Sequence, residues 1–391
     1  MHHYDSIIIG AGAAGLYCAL HAGQRGRRVL VLEHNAEAGA KILISGGGRC
    51  NFTNIHTAPD RFLSANPHFA RSALARHTPA DFIAMVERHG IAYYEKTLGQ
   101  LFCEGPRSSR KIVDMLLSEC ARGGVDMRTG VAATNVMRAE RFRVETNVGA
   151  FTSETLVIAT GGLSIPKLGA TSFAYDIARQ FDVPVIATRP GLVPLIFAET
   201  ELAWMRKLSG VAAPVTARVD GASFKEAALF THRGLSGPAI LQASSYWNAG
   251  EAVEIDWLPN TAEDVFVVRK RSRAQLQLRS ALAELVPDRL ATALAQPLPQ
   301  GALGDLKDHA LIDSARQLKT HRITPSGTEG YAKAEVTVGG VDTGALSQQT
   351  MEVRAVPGLF FIGEAVDVTG WLGGYNFQWA WSSGWAAGQA I

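Results

Sequence analysis

The stretch KILISGGGRCN, Lys41 to Asn51, sets a lysine, a hydroxyl, three adjacent glycines, an arginine, a thiol and an amide in a row. Adjacent glycines are costly to order, because glycine gives up the most backbone freedom on folding. A chain keeps Gly46, Gly47 and Gly48 together where something must come close to bare backbone. An earlier run has the same character: Gly10-Ala11-Gly12-Ala13-Ala14-Gly15 is a full G-x-G-x-x-G. The β-branched run ending at Ile9 suits a buried parallel strand, and an Ala-rich helical pattern follows to about Gln24. A second strand pattern, Arg28 to Leu32, ends at Glu33, which lies 18 positions after Gly15 and close to the ~20 expected of a ribose-binding acid. Gly10 makes the turn, Gly12 admits a pyrophosphate, and Gly15 lets helix and strand pack. Ala13 and Ala14 open a helix whose free N–H groups and partial positive charge favour phosphate. This is the chemistry of dinucleotide binding.

Two further segments read as returns to the same ligand. ETLVIATGG, residues 154–162, is an apolar strand that closes on Thr160 and Gly161. GLFFIGEAVDVTGWLGGYN, residues 358–376, is a buried strand ending at Gly363-Glu364, then Gly373-Gly374 and Tyr375-Asn376. Small residues continue to Gly388, so Tyr375 opens a helix whose positive end is expected at the flavin of a dinucleotide such as FAD. No second G-x-G-x-x-G exists, since GGLSIPKLG (161–169) has the wrong spacing. Cys18, Cys50, Cys103 and Cys120 form no C-x-x-C, so neither a zinc ribbon nor a redox pair is signalled, and no metal is expected. Cys50 alone is either a redox thiol or a small residue packed near the cofactor.

These elements need a sheet with helices on its faces, and 391 residues are too many for one core. The chain is expected to begin and end in one domain, 1–190 plus 340–391, with 191–339 inserted. The insert reads as β-rich, with a hairpin at Asp220-Gly221 and a helical portion at about 261–320. It carries the strongest basic run, Arg269, Lys270, Arg271, Arg273 and Arg279, which is either a solvated face or the footprint of an acidic partner. Net charge of +2 neither requires nor excludes nucleic acid. No apolar run reaches the ~20 residues of a membrane helix, and no signal-peptide pattern precedes the first strand; a cytoplasmic location is the expectation.

KILISGGGRCN, THRGLSGPAIL (231–241) and GLFFIGE…DVTGWLGGYN together resemble the BaiN/YhiN-like family of FAD-dependent oxidoreductases, over essentially the whole chain. The resemblance implies an α/β fold: a Rossmann-like FAD-binding domain of the glutathione-reductase type, with an inserted β-barrel-like domain and a small helical subdomain. It implies that Lys41 sits near the adenosine side of FAD and that Ser45 to Asn51 (Ser45, Gly46, Gly47, Gly48, Arg49, Cys50 and Asn51) run under the pyrophosphate and flavin. Ala133 would meet the adenine, and Glu364 the ribityl or pyrophosphate region. NAD(P)H is the expected transient donor, docking on the flavin and leaving. Double-bond reduction also needs a proton donor, for which Tyr375, His232 and Arg49 are the candidates. The favoured function is hydride transfer to a small organic substrate, with carbon–carbon double-bond reduction first. Reduction or modification of a nucleobase in RNA ranks second, and a non-catalytic flavoprotein third.

Overall fold

The computed structural model describes residues 2–391. The run His2–Ile9 forms strand β1, followed by helix α1 (Ala13–Gln24) and strand β2 (Val29–Glu33). β1 pairs in parallel with β2, and β2 with a strand at Asp126–Thr129. On its other side β1 pairs in parallel with the long strand Gly149–Ile158, whose end in turn pairs with Leu359–Phe361. The first half of Gly149–Ile158 pairs antiparallel with Phe142–Thr146, which continues the meander to Ala133–Arg138. Strands buried on both faces require near-continuous apolar sequence, which Ile7, Ile8, Val31, Leu156, Val157 and Phe361 supply at 1% exposure or less.

Contacts divide the chain into two compact units, 2–189 with 336–391, and 190–335. The first holds the sheet just described. The second holds a seven-stranded sheet with strands Leu195–Ile196, Ala212–Val219, Ala222–Phe230, Gly234–Ser236, Val253–Asp256, His321–Ile323 and Gly327–Thr328; the last two are its edges. Its central hairpin turns at Asp220 (φ 46°) and Gly221 (φ 73°), both left-handed. That is the geometry a two-residue turn needs to match the twist of its strands. Helices Val265–Ser272, Leu278–Ala283, Asp288–Ala295 and Asp308–Lys319 make up its helical portion.

In the first unit the C-terminal helix Tyr375–Gly388, here α2, lies along α1. Beside this contact Tyr17 Oη meets His77 Nε2 at 2.8 Å, and Trp385 stacks on the His77 ring. His21 lies edge-on to Tyr17, and its Nε2 is buried with no hydrogen-bond partner. Burial pushes both His21 and His77 down to about 4. The unfolded chain takes up these two protons near the ordinary value of 6.5, so it binds more protons than the fold between about 6.5 and about 4. Stability should therefore fall with pH through that window, by up to about 1.4 kcal/mol per pH unit for each proton. Urea midpoints at pH 7 and pH 5 check this: the wild type should lose stability, and His77→Phe should lose less. An unchanged wild-type midpoint would contradict the buried neutral pair.

Candidate functional site

The turn between β1 and α1 separates two kinds of glycine. A Cβ on Gly10 would lie 2.5 Å from Ala159 O, and one on Gly15 would lie 1.9 Å from Gly10 O. Those two positions are closed by packing. Gly12 differs: its φ is −83°, open to any residue, and nothing lies within 4 Å of a Cβ built there. It caps α1 with no side-chain hydrogen bond and no acid in the first turn. The first-turn N–H groups of Ala13 and Ala14 therefore have no side-chain partner, an arrangement that suits an anion. Glu33 ends β2 and is 7% exposed. Its Oε2 accepts the Ala11 N–H and its Oε1 the Asn35 N–H, each at 2.8 Å. A carboxylate has about four lone-pair sites, so both oxygens keep room for ribose hydroxyls.

A polar network that the sequence does not advertise sits further along. Lys41 Nζ lies 2.5 Å from Glu364 Oε2 and 2.6 Å from Ser164 Oγ. Ser164 Oγ donates to Glu364 Oε1 at 2.7 Å, and the Thr337 N–H donates to the same oxygen at 2.8 Å. Thr337 Oγ1 accepts the N–H groups of Leu163 and Ser164. Lys41 and Glu364 thus share one point. Whatever part of the cofactor each one faces, the two side chains act from the same place. Ser164 and Thr337 carry no motif, and only the short span from Gly161-Gly162 to Ser164 hinted at the first of them.

The expected glycine loop begins as a helical turn. Lys41 lies in the helical segment Ala40–Gly48, which breaks at Ser45 (φ −63°, ψ 148°). Gly46, Gly47 and Gly48 are all left-handed, with φ of 57°, 67° and 81°, and Cys50 follows at 48°. A Cβ on Gly46 would strike the Phe102 ring at 2.8 Å, whereas Gly47 faces open space. Ser45 Oγ donates to Ile42 O. Cys50 is wholly buried, and burial pushes its thiol well above the ordinary range. A neutral buried thiol is a poor nucleophile, so the packed alternative fits Cys50 and the redox one does not. With its amide turned to suit its neighbours, Asn51 donates to Thr53 O and Leu101 O and accepts the Gly374 N–H. Asn51 therefore braces backbone, as does Asn54, which donates to Gly373 O at 2.9 Å.

Those two asparagines hold the approach to α2. Gly374, left-handed at φ 99°, precedes Tyr375 as its cap. Asn376 clamps Gly370, accepting its N–H at 2.8 Å and donating to its carbonyl at 2.9 Å, so its side chain is structural. Tyr375 is 7% exposed, with its ring edge-on to Phe62. On the facing strand end, Gly161 (φ 76°) has open space around it, and Thr160 Oγ1 is buried with no hydrogen-bond partner. Gly363 (φ 65°) closes on Ala14, which a Cβ there would meet at 2.8 Å. Bare backbone at Gly12, Gly47 and Gly161 and an orphaned buried hydroxyl are what a dinucleotide would cover.

Ala133, Arg49 and His232 lie on separate segments of the chain. Ala133 opens the outer meander strand; the residue tied to the end of β2 is Val131, whose N–H donates to Glu33 O. Arg49 is exposed and donates to Tyr94 Oη at 3.0 Å. His232 belongs to the second unit, where it is exposed and lines a cleft of about 510 Å³ with Phe197, Leu202 and Arg206. Most of the basic run is neutralised there: Arg269 and Arg273 pair with Glu284, Lys270 with Asp308 and Arg279 with Asp288. The solvated-face alternative fits that run. Among the described residues no cluster of His, Cys, Asp and Glu is placed to hold a metal, and no helix is long and apolar enough to cross a membrane.

Comparison with known families matches residues 4–390 to the HI0933-like protein Rossmann domain. The chain belongs to the HI0933-like family. Its fold is the Rossmann-type FAD-binding fold, and it is an FAD-dependent oxidoreductase, in keeping with the BaiN/YhiN-like resemblance. This HI0933-like chain is 52% identical to the ribosomal RNA dihydrouridine synthase of Escherichia coli K12, over 100% of its own length and 98% of the relative's. It is 29% identical to the 3-dehydro-bile acid delta(4,6)-reductase of Clostridium scindens, over 98% of each. Among solved structures, a 3-ketosteroid-delta4-(5alpha)-dehydrogenase from Rhodococcus jostii RHA1 superposes with a TM-score of 0.50 at 12% identity, covering 99% of this chain and 97% of that one. That last likeness concerns the fold alone.

Proposed function

We propose that this chain reduces uracil bases of ribosomal RNA to dihydrouracil, using FAD. The observation that carries the reading is the 52% identity, end to end, with a ribosomal RNA dihydrouridine synthase. The favoured expectation of a small organic substrate has the weaker support of a 29% relative, so the order of the first two readings reverses. The reaction removes the C5=C6 double bond of the base. NAD(P)H would be oxidised to NAD(P)⁺, two electrons would pass to the base, and one further proton would come from the protein or solvent.

FAD, when bound, supplies the two-electron chemistry. The protein's part is to hold it and to position the base. The N–H groups of Ala13 and Ala14, with Gly10, Gly12 and Gly15 shaping the turn, would take the pyrophosphate. Glu33 would take the adenosine ribose, Gly46 to Gly48 would run alongside, and Thr160, Gly161 and Gly363 would close the facing side. The N-terminus of α2, opened by Gly373, Gly374 and Tyr375, would favour negative charge on the ring. Lys41 and Glu364 would steady this cradle as an ion pair. Of the three proton-donor candidates, the Arg49 guanidinium suits an anion better than proton transfer, and His232 is exposed in a loop of the second unit. Tyr375, in the cradle's own unit, is the one we assign. This reading puts the enzyme's work in the cytoplasm, where ribosomes are.

The test incubates FAD-loaded protein and NADPH or NADH with ribosomal RNA lacking dihydrouridine, and in parallel with a steroid enone. Digestion and mass spectrometry should find a uridine heavier by two hydrogens, and an untouched enone. Consumption of the enone with unchanged RNA would restore the small-molecule reading.

A further inference from the structure

A flavoenzyme that acts on RNA needs a surface that holds the strand, and most of the basic run of the second unit is occupied by its own carboxylates. Another set of cations is not. Strands Asn51–Asn54, Gln100–Cys103 and Tyr93–Glu95 form a small antiparallel sheet directly after the glycine loop. Tyr94 and Phe102 are paired across it, their rings 6.0 Å apart and 23° from parallel. The Arg49 guanidinium lies 5.8 Å from the Phe102 ring centre, and Lys96 Nζ lies 5.5 Å from it. Arg49 also donates to Tyr94 Oη. Phe102 is 5% exposed, covered by these neighbours, whereas Arg49 and Lys96 are exposed. Arg107, exposed and left-handed at φ 55°, stands beside Gly48. None of the three cations has a carboxylate at ion-pair distance among the described residues. Glu95, one residue before Lys96, accepts the Gly99 N–H, and strand alternation sends it to the other face.

We propose that Arg49, Tyr94, Lys96 and Arg107 form a docking platform for single-stranded RNA at the edge of the FAD cradle. The inference rests on the RNA reading above. The cations suit phosphates, and a half-buried tyrosine in a fixed ring pair suits base stacking, the combination that binds single strands without sequence readout. Its place follows from Phe102, whose ring touches Gly46 of the loop as well as both cations. A strand held there would have a nucleotide next to the cradle, and an extruded base is how enzymes reach a target atom in nucleic acid.

The experiment measures binding of a fluorescein-labelled uridine-rich oligoribonucleotide to the FAD-loaded protein by anisotropy at several salt concentrations. Tyr94→Ala should weaken binding about tenfold. Lys96→Glu should weaken it and lower the salt slope by about 0.7, the share of one phosphate contact on a single strand. Both variants should keep wild-type flavin absorbance, because neither touches the cradle. Wild-type binding that both variants retain in full, at every salt concentration, would overturn the platform and leave the RNA reading standing. Failure of the wild type to bind this RNA or ribosomal RNA at low salt would overturn the RNA reading itself.

Discussion

Gly12→Asp is expected to fold, to melt no lower than flavin-stripped wild type, and to purify colourless. The open space around Gly12 and its ordinary φ leave the new side chain without strain. Aspartate is moreover among the best residues at a helix N-cap, better there than glycine by about a few tenths of a kcal/mol. Its carboxylate would stand where the phosphates belong. Two unit charges about 4 Å apart near a protein surface repel by about 4 kcal/mol, roughly a thousandfold in affinity. The comparison must be with stripped wild type, because bound FAD stabilises by mass action. The measurement is flavin absorbance after purification and after titration with FAD, beside a melting curve. Flavin retained at wild-type affinity would remove Gly12, and with it the α1 terminus, from the cofactor site. The same substitution at Gly10 or Gly15 carries no such information, because there a Cβ meets backbone at 2.5 Å or less.

That contrast shows which parts of the site sequence can reveal. G-x-G-x-x-G to Glu33 was legible because the whole unit is local: one strand, one turn, one helix and one strand, with each glycine's demand written in its spacing. The hairpin at Asp220-Gly221 was legible for the same reason, since a two-residue turn fixes its own chemistry. The Lys41–Glu364 pair spans 323 positions, and nothing local to either residue names the other. Ser164 and Thr337 are ordinary polar residues until the sheet brings them to Glu364. Asn51 and Asn376 sit inside glycine-rich motifs and read as ligands, yet their amides are committed to backbone, which only the folded hydrogen bonds disclose. The basic run misled in the other direction. Its partners Glu284, Asp288 and Asp308 lie beyond the windows in which charge patterning is read, and folding turns an apparent polyanion footprint into a set of surface ion pairs. Arg49, Lys96 and Arg107, which gather around one small sheet, are scattered in sequence, where no composition scan would bring them together.

Gly384→Val is expected to damage both the fold and cofactor binding, although it lies outside the nucleotide turn. A valine on an exposed helix face would be mildly favourable, since glycine is about 1 kcal/mol worse than alanine in a helix and valine less so. Here a Cβ at 384 would lie 2.6 Å from Ala14 O and 3.3 Å from Cys18 N. Gly388, one turn on, would meet Cys18 O at 2.8 Å. α2 thus lies with its bare glycine edge on the backbone of α1, and no rotamer change can make room. Ala14 is also held from the other side by Gly363, so pushing α2 away tilts the first turn of α1, the turn that presents N–H groups to the phosphates. Overpacking a core ordinarily costs about 1–3 kcal/mol, and a clash with backbone belongs at the upper end of that range. Gly384→Val should therefore lose about 3 kcal/mol in denaturant midpoint and also bind FAD more weakly, whereas Gly12→Asp loses only the cofactor. Ala390→Val, at an exposed position past the end of α2, is the matched control and should change neither. A Gly384→Val protein that unfolds like wild type would mean that the two helices do not cross this closely. The glycines of the C-terminal helix would then owe their presence to something other than the support they give the cofactor turn.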